Sequence, residues 1–383
     1  MKVPFNYLPS QFNEAETDAI LAKMKPVIMS GDFTLGAPLA ELESVIAERT
    51  GASHAVGVSS GTSALFLSLK ALGITGEVIT SPLSFFATPA SIATAGAQPV
   101  FADIREDYNI DPAAIEATIT PRTEALVPVH WAGRPCNMTA IMEIARRHGL
   151  AVIEDAAQAF GSKWDGQHVG TFGAAGAVSF HPLKILNVTA DAGMILTNRP
   201  EVAERVKRLR NHGCSSRDVC EEWGWNERMD TLQAAVALHV LKSVDWAIET
   251  RRDYATLLDA ELADVGEVFT ATMPQKAFAN FYLYPLLCQD RDGLFAYLQS
   301  KSIDCKTHYP VPLHLQPAAA KMGHSTLSPS YRMYRRGDFP MAERCCDQTI
   351  SLPFHPWLKP ADLLYMAQTI REYFAQRETV AAE

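Results

Sequence analysis

Apolar runs of four to six residues recur along residues 50–200 and alternate with helix-like stretches. The runs predict seven strands, at residues 55–58, 77–80, 99–104, 125–130, 151–154, 176–180 and 194–197. The helix-like stretches between them include residues 62–72, 111–119 and 138–148. This alternation is typical of a largely parallel sheet covered by helices, in which ligands bind at the carboxyl ends of the strands.

The pattern changes after Met229. Residues 231–252 predict one long helix that leads into a second region, where residues 281–287 predict a strand and residues 292–301, 341–347 and 360–374 predict helices. A boundary near residue 240 divides the chain into a large domain, residues 1–240, and a small carboxyl-terminal domain, residues 241–383. The first fifty residues are predicted to form a surface helix and loops that lead to the first strand.

Composition narrows the class of protein. The chain has 383 residues, of which 48% are hydrophobic, enough for one large domain and one smaller domain. A net charge of −9 without a basic stripe argues against nucleic acid as a partner. No apolar run approaches the roughly 20 residues that span a membrane, and the first residues lack a signal-peptide pattern. The seven scattered cysteines favour reduced thiols in a cytoplasmic protein over disulfides or a metal site.

Two predicted strand ends lead into turns with polar side chains. In SSGTSAL, residues 59–65, Gly61, Thr62 and Ser63 stand where a helix begins, and backbone N–H groups at a helix start bind anions. About half of such turns only cap the helix. In EDAAQ, Asp155 and Gln158 are expected to point into one crevice, with a simple helix cap at Asp155 as the alternative.

A third segment, SFHPLK, carries Lys184 between two strand-like runs. This lysine either extends to water or lies in a pocket, where apolar surroundings destabilise its ammonium form and leave an amine able to form a Schiff base. A phosphate-binding turn, a strand-end carboxylate and a pocket lysine together fit pyridoxal 5′-phosphate (PLP). An aromatic ring over the cofactor is also expected, either Phe85 or Phe86, and core packing is the alternative for both.

Segments spread over nearly the whole chain resemble the DegT/DnrJ/EryC1/StrS family of sugar aminotransferases. They include VGVSSGTSALFLSLKALG, EVITSPLSFFATPASI, VIEDAAQAFGSKWDG, AVSFHPLK, GWNERMDTLQAA and HYPVPLHLQ. The resemblance implies an α/β protein with the PLP-dependent transferase fold type I, like that of aspartate aminotransferase. Such a fold has a large domain with a mixed, mostly parallel sheet and a smaller carboxyl-terminal α+β domain.

The resemblance also implies roles for individual residues. Lys184 matches the lysine that forms the Schiff base with PLP and later moves the proton, and Asp155 matches the partner of the pyridine nitrogen. Gln158 matches the residue that bonds the phenolic oxygen, and Phe85 the ring that stacks on the cofactor. Further matches are the phosphate contacts Thr62, Ser63 and Ser179, the sugar-side pair His308 and Tyr309, and Asn226, which would reach the phosphate of the partner subunit in a homodimer. For His308 and Tyr309, a packed strand end is an equal alternative.

The chain departs from the family pattern after the lysine. The family usually has K-N-L-G followed by G-D/E-G-G, whereas this chain has KILN at 184–187 and ADAG at 190–193. Ala190 and Ala192 lack the conformational freedom of glycine, so we expect a changed loop on the substrate side of the pocket. Asp191 either faces the substrate or caps the turn.

The resemblance predicts transfer of an amino group, with L-glutamate as donor and a nucleotide-linked keto sugar as acceptor. Such a reaction belongs to amino-sugar biosynthesis, for a surface polysaccharide such as lipopolysaccharide or for a natural product. A free or phosphorylated keto sugar, a cyclitol and an ulosonic acid are the alternative acceptors. A different class of function is a regulator that binds PLP or a sugar without turnover. A sugar dehydratase of the same fold would have histidine in place of Lys184.

Overall fold

The structure, a computed structural model, describes residues 2–322 and 333–382. Its helices are α1 Leu8–Gln11, α2 Glu14–Ser30, α3 Ala37–Thr50, α4 Gly61–Leu72, α5 Ala87–Thr94, α6 Pro112–Thr118, α7 Met138–His148, α8 Pro200–Leu209, α9 Thr231–Val240, α10 Val244–Leu262, α11 Arg291–Ser300, α12 Pro317–Met322, α13 Pro340–Gln348 and α14 Pro360–Ala382. Its strands are β1 His54–Val58, β2 Glu77–Thr80, β3 Gln98–Phe101, β4 Thr123–Val127, β5 Ala151–Asp155, β6 Lys163–Trp164, β7 Gln167–His168, β8 Ala175–Ser179, β9 Gly193–Thr197, β10 Cys214–Ser216, β11 Val219–Cys220, β12 Val268–Phe269, β13 Ala277–Phe278, β14 Tyr284–Cys288 and β15 Thr349–Leu352.

A seven-stranded sheet forms the centre of the molecule, in the order β1-β9-β8-β5-β4-β2-β3. Strands β3, β2, β4, β5 and β8 pair in parallel, while β9 pairs antiparallel with both β8 and β1. The seven predicted strands are the strands of this sheet, so the predicted α/β fold with a mixed, mostly parallel sheet is confirmed.

The sequence of the central strands explains why they are buried on both faces. Every residue of β2, β8 and β9 is buried, and polar and apolar residues do not alternate along these strands. Helices cover both faces of the sheet, so both sets of side chains meet apolar surroundings. One buried cluster packs α3, α7 and α9 against the sheet, and a second packs α4 and α8.

Two predictions of local structure are wrong. The first fifty residues form three helices, and α3 is not a surface element because Leu39, Leu42 and Ile46 are buried. The predicted single helix over 231–252 is two helices, α9 and α10, separated by a 3₁₀ turn at Leu241–Ser243. The apolar pattern continues through this turn, so the pattern alone cannot show where the chain bends.

A third buried cluster lies in the second half of the chain. Strands β12, β14 and β15 form a three-stranded antiparallel sheet against which α10, α11 and α14 pack. Val3 is buried in the same cluster, and its backbone exchanges hydrogen bonds with Ser302 and Asp304. Helix α10 contributes to two clusters, with Val244 and Ile248 in the cluster on the large sheet and Leu258 and Leu262 in the third cluster. The division near residue 240 therefore stays a prediction.

No helix within the described ranges is long and apolar enough to cross a membrane. All seven cysteines are free, and Cys345 and Cys346 are buried in α13.

Candidate active site

A cavity of about 360 Å³ opens where the carboxyl ends of several sheet strands meet. Asp155 ends β5, Ser179 ends β8, and Gly61 begins the helix that follows β1; all three line the cavity. The parallel arrangement of the central strands brings these distant positions to one edge of the sheet.

Asp155 lies at the base of this cavity and is only 6% exposed. Its Oδ2 accepts a hydrogen bond of 2.8 Å from the Thr88 hydroxyl, and its Oδ1 accepts one of 3.2 Å from the Ala157 N–H. Burial raises the pKa of this carboxyl above its ordinary value, and the hydrogen bond from Thr88 is the main opposing effect. A cation placed in the cavity would stabilise the ionised form.

Lys184 enters the cavity half-buried, from the loop after β8. Its Nζ lies 4.4 Å from the centre of the Tyr282 ring, which also lines the cavity. A cation over an aromatic face is held by the charge distribution of the ring. The lysine therefore points into the pocket that contains Asp155, as the pocket alternative predicts, rather than extending to water.

The turn before α4 forms one wall of the cavity. Ser60, Gly61 and Thr62 line it, and the Ser60 side chain caps the helix by accepting a 3.0 Å hydrogen bond from the Ser63 N–H. A methyl group on Gly61 would come within 2.7 Å of the Ser179 β-carbon, so the two segments pack as closely as glycine allows. A helix start beside hydroxyl groups is suited to a phosphate.

The outer part of the cavity carries aromatic side chains. Phe85 lines it and is 50% exposed, with its ring centre 5.9 Å from that of Tyr309. His308 also lines it, and its Nδ1 lies 3.0 Å from the Ser351 hydroxyl. Burial, assisted by the charges of Lys184 and Lys306, lowers the pKa of His308 to about 4, so this imidazole is neutral near pH 7. Burial raises the pKa of Tyr309.

Gln158 lies deeper, near the base. Its side chain is 6% exposed, and its Oε1 accepts a 2.6 Å hydrogen bond from the Ala132 N–H. This bond fixes the orientation of the amide, so that its nitrogen is the group that faces the cavity, where it bonds the Tyr309 side chain.

Three of the candidate residues do not line the cavity in the described chain: Ser63, Phe86 and Asn226. The Ser63 hydroxyl is used within the turn, where it contacts Ser60 at 2.9 Å and donates to Glu227 at 2.5 Å. Phe86 is 52% exposed and adjoins Phe85, which leaves Phe85 as the ring at the cavity. Asn226 is exposed on its own subunit, so its predicted role toward a partner stays a prediction.

Three histidines that do not line the cavity belong to the core. His130 is fully buried, and its Nε2 lies 3.1 Å from Oε2 of Glu154. The same oxygen accepts a bond from the Gly170 N–H, and Oε1 of Glu154 accepts bonds from the Phe172 and Gly173 N–H groups. His314 bonds Glu343, and His355 bonds the Pro4 carbonyl. These contacts indicate a structural role for all three.

Comparison with known proteins supports the same interpretation. The family model of the DegT/DnrJ/EryC1/StrS aminotransferase family matches residues 14–371. The chain belongs to the DegT/DnrJ/EryC1/StrS aminotransferase family.

Curated relatives of the family cover almost the whole chain. A dTDP-3-amino-3,4,6-trideoxy-alpha-D-glucose transaminase of Streptomyces venezuelae is 37% identical over 377 residues, which cover 97% of this chain and 96% of that protein. A pleiotropic regulatory protein of Geobacillus stearothermophilus is 38% identical over 381 residues, covering 98% and 99% of the two chains.

Two solved structures of the family superpose closely on the chain. DesV of S. venezuelae in complex with a ketimine intermediate has a TM-score of 0.92 and 36% identity, covering 97% of this chain and 98% of that one. NtdA of Bacillus subtilis with bound cofactor PMP has a TM-score of 0.87 and 27% identity, covering 97% and 85%. The expected aspartate-aminotransferase-like fold is thus confirmed.

The departures from the DegT/DnrJ/EryC1/StrS pattern have local explanations. Ala190 and Ala192 are not among the described non-glycine residues with positive φ, so the backbone accepts alanine at both positions. Asp191 is exposed and lines the cavity, which places it where a substrate can meet it. Asn187 is 3% exposed and bonds Gln11 and the Lys184 carbonyl, contacts that no local pattern indicates.

Proposed function

We propose that this protein is a PLP-dependent aminotransferase that moves an amino group from L-glutamate to a nucleotide-linked keto sugar in amino-sugar biosynthesis. The observation that carries the proposal is the convergence of Lys184, Asp155 and Gln158 on one cavity beside the start of α4. An amine, a buried carboxylate, an amide and a helix start are the four groups that a pyridine aldehyde phosphate requires.

The geometry of the cavity fits this cofactor. Asp155 is a buried carboxylate whose pKa is raised by burial, so a protonated pyridine nitrogen would supply the counter-charge that it lacks. Because Gly61 packs closely on Ser179, the start of α4 and the end of β8 lie side by side where a phosphate would accept hydrogen bonds from the N–H groups of α4. We assign Thr62 and Ser179 to the phosphate, Gln158 to the phenolic oxygen and Phe85 to the ring face.

PLP bound in this cavity would supply an electron sink for the negative charge that develops when a proton leaves the amino donor. Asp155 would hold the positive charge at the ring nitrogen, which keeps that sink effective. The Lys184 amine would accept and return that proton, a transfer that general acid–base catalysis accelerates by typically 10²–10⁴-fold. The face of Tyr282, whose centre lies 4.4 Å from Nζ, would hold the lysine within the cavity while it carries the proton.

The acceptor part of the proposal rests on the outer cavity. His308 is neutral near pH 7 and can donate or accept a hydrogen bond, and Tyr309 keeps its phenolic proton because burial raises its pKa. Such groups suit sugar hydroxyls. The S. venezuelae relative, by its name, acts on a dTDP-linked sugar, which supports a nucleotide-linked acceptor over a free sugar, a cyclitol or an ulosonic acid.

We further propose a homodimer, in which Asn226 completes the phosphate site of the partner subunit. Asn226 is exposed, and the carbonyl of the next residue, Glu227, accepts a 2.9 Å hydrogen bond from the Ser59 N–H at the phosphate turn, which supports this arrangement.

The test of the function is a Lys184→Ala variant. We expect wild-type protein to bind PLP with a visible absorption band that glutamate removes, and the variant to lose both the band and all turnover, because no other amine lines the cavity among the described residues. Lys163→Ala, which removes an exposed lysine from β6, is the matched control and should behave as wild type.

The acceptor is identified by offering a panel of nucleotide-linked and free keto sugars to the glutamate-treated protein. Return of the visible band with a nucleotide-linked sugar supports the proposal. Binding of PLP without any response to glutamate would instead support the regulator, a possibility that the name of the G. stearothermophilus relative keeps open.

A further inference from the structure

The loop that carries Lys184 is closed at its base and braced inside. The Val188 N–H donates a 2.9 Å hydrogen bond to the Phe180 carbonyl, which closes the loop over residues 180–188. Within it, the Lys184 N–H donates to the His181 carbonyl at 2.8 Å. The Lys184 carbonyl accepts a 3.1 Å bond from Nδ2 of Asn187. Both backbone polar groups of the lysine are therefore held.

Asn187 is itself fixed by a residue from the other end of the chain. Its Oδ1 accepts a 2.6 Å hydrogen bond from Nε2 of Gln11, and the two side chains are 3% and 6% exposed. Nδ2 of Asn187 also lies 3.4 Å from the Tyr7 hydroxyl. An asparagine amide can donate to one partner and accept from another at once, whereas the glycine usual in the family at this position has no side chain to do either.

The segment that supplies Gln11 is anchored elsewhere in the molecule. The Tyr7 ring stacks on Trp357 with ring centres 4.6 Å apart and an angle of 12° between planes. Val3 pairs with Ile303, and the Pro4 carbonyl accepts a hydrogen bond from His355. Gln11 thus approaches the loop from a segment packed on the small-domain cluster, so its position is not free to follow the loop.

We propose that Asn187 and Gln11 are positioning residues for Lys184. Asn187 fixes the backbone carbonyl of the lysine, and Gln11 fixes the amide of Asn187, so that the ε-amine returns to one place between rounds of proton transfer. The inference rests on the proposed function of Lys184. It predicts an effect on the rate of proton transfer rather than on donor binding, because the two amides face the loop backbone and not the cavity.

The experiment compares Asn187→Ala, Gln11→Ala and the double variant with wild type. We expect kcat for the glutamate half-reaction to fall by about tenfold or more in Asn187→Ala, since misplacing a reacting group by 1 Å can cost as much as 10²-fold, while the KM for glutamate changes by less than about twofold. Gln11→Ala should show a smaller fall. The double variant should be no slower than Asn187→Ala, because Gln11 acts on Lys184 only through Asn187.

A second measurement uses protein without cofactor and does not depend on activity. Backbone amides of residues 183–188 should exchange with deuterium faster in Asn187→Ala and Gln11→Ala than in wild type. If wild type fails to react with glutamate, the proposed function is wrong, yet the exchange experiment still tests the bracing of the loop.

Asn13→Ala is the matched control. Asn13 lies two residues beyond Gln11 and caps α2 through its bonds with Glu16, without a contact to the lysine loop. This variant should have a lower melting temperature with wild-type kcat and wild-type exchange in the loop. The inference is overturned if Asn187→Ala keeps wild-type kcat, if its kcat falls no more than that of Asn13→Ala, or if exchange in the loop is unchanged.

Discussion

The carboxylate of Asp155 ends β5 inside the cavity and, among the described residues, accepts hydrogen bonds from Thr88 and Ala157. Burial disfavours its ionised form, which fits the proposed role of this residue as the partner of a positive charge. We predict that Asp155→Asn lowers kcat by about 10²–10³-fold, the loss typical when one preorganised electrostatic group is removed from an active site. Steady-state kinetics at saturating glutamate would measure it.

Thr88→Val is a milder variant of the same site and serves as the comparison for that prediction. It removes one of the two hydrogen bonds and leaves the carboxylate, so its effect on kcat should be clearly smaller than that of Asp155→Asn. Equal losses of kcat in the two variants would mean that the activity depends on the hydrogen bond from Thr88 and not on the charge of Asp155.

The chemistry-bearing residues were predictable from sequence because each one lies at a strand end or in the first turn after it. Asp155, Gln158, Lys184 and Gly61 all line the cavity for that reason. Tyr282 was not predictable, since it reaches Lys184 from the opposite side of the cavity. Nor was the bond between Gln11 and Asn187, whose partners lie 176 residues apart and are joined only by the tertiary fold.

The start of α4 packs closely on the end of β8 at the site. A β-carbon on Gly61 would lie 2.7 Å from the Ser179 β-carbon and 3.2 Å from its hydroxyl oxygen. We predict that Gly61→Ala pushes these elements apart, at a cost of about 1–3 kcal/mol in stability, and weakens PLP binding. Thermal unfolding and a PLP titration would measure the two effects.

Gly266→Ala is the control for this substitution, because an added methyl group there has no neighbour within 4 Å. It should leave melting temperature and PLP affinity close to wild type. If Gly61→Ala matches it in PLP affinity, the start of α4 does not form the phosphate site.

At the level of elements, the central strands were predictable because they are short apolar runs with clear boundaries, and β2 and α7 were predicted with their observed bounds. The turn at Leu241–Ser243 was not, because α9 and α10 are both apolar on their buried sides and no glycine or proline marks the break. Helix α3 has Pro38 in its first turn, after the N-cap Gly36, a start signal that the prediction of loops overlooked.

Three histidines in different parts of the whole molecule share one electrostatic property. His168 packs in the large domain, His308 lines the cavity, and His355 joins the amino-terminal segment to the small-domain cluster. Burial lowers the pKa of each to about 4 from the ordinary value of 6.5. Between these two pH values the unfolded chain binds protons that the folded chain excludes, so folding stability rises with pH across this window.

We therefore predict that stability contributed by these histidines is complete above about pH 6.5 and is lost as the pH falls toward 4. Each one accounts for about 3 kcal/mol over the window, at 1.36 kcal/mol for each pH unit between the folded and unfolded pKa. Asp155 and Asp107 act in the opposite sense, because burial raises the pKa of each and a raised carboxyl pKa favours folding at low pH.

His355→Gln should retain a donor to the Pro4 carbonyl while removing one titrating group. The melting temperature of this variant should fall less steeply between pH 7 and 5 than that of wild type, with a constant difference between the two proteins at pH 7.5 and 8.5. Parallel curves over the whole range would show that the pKa of His355 is the same in the folded and unfolded protein.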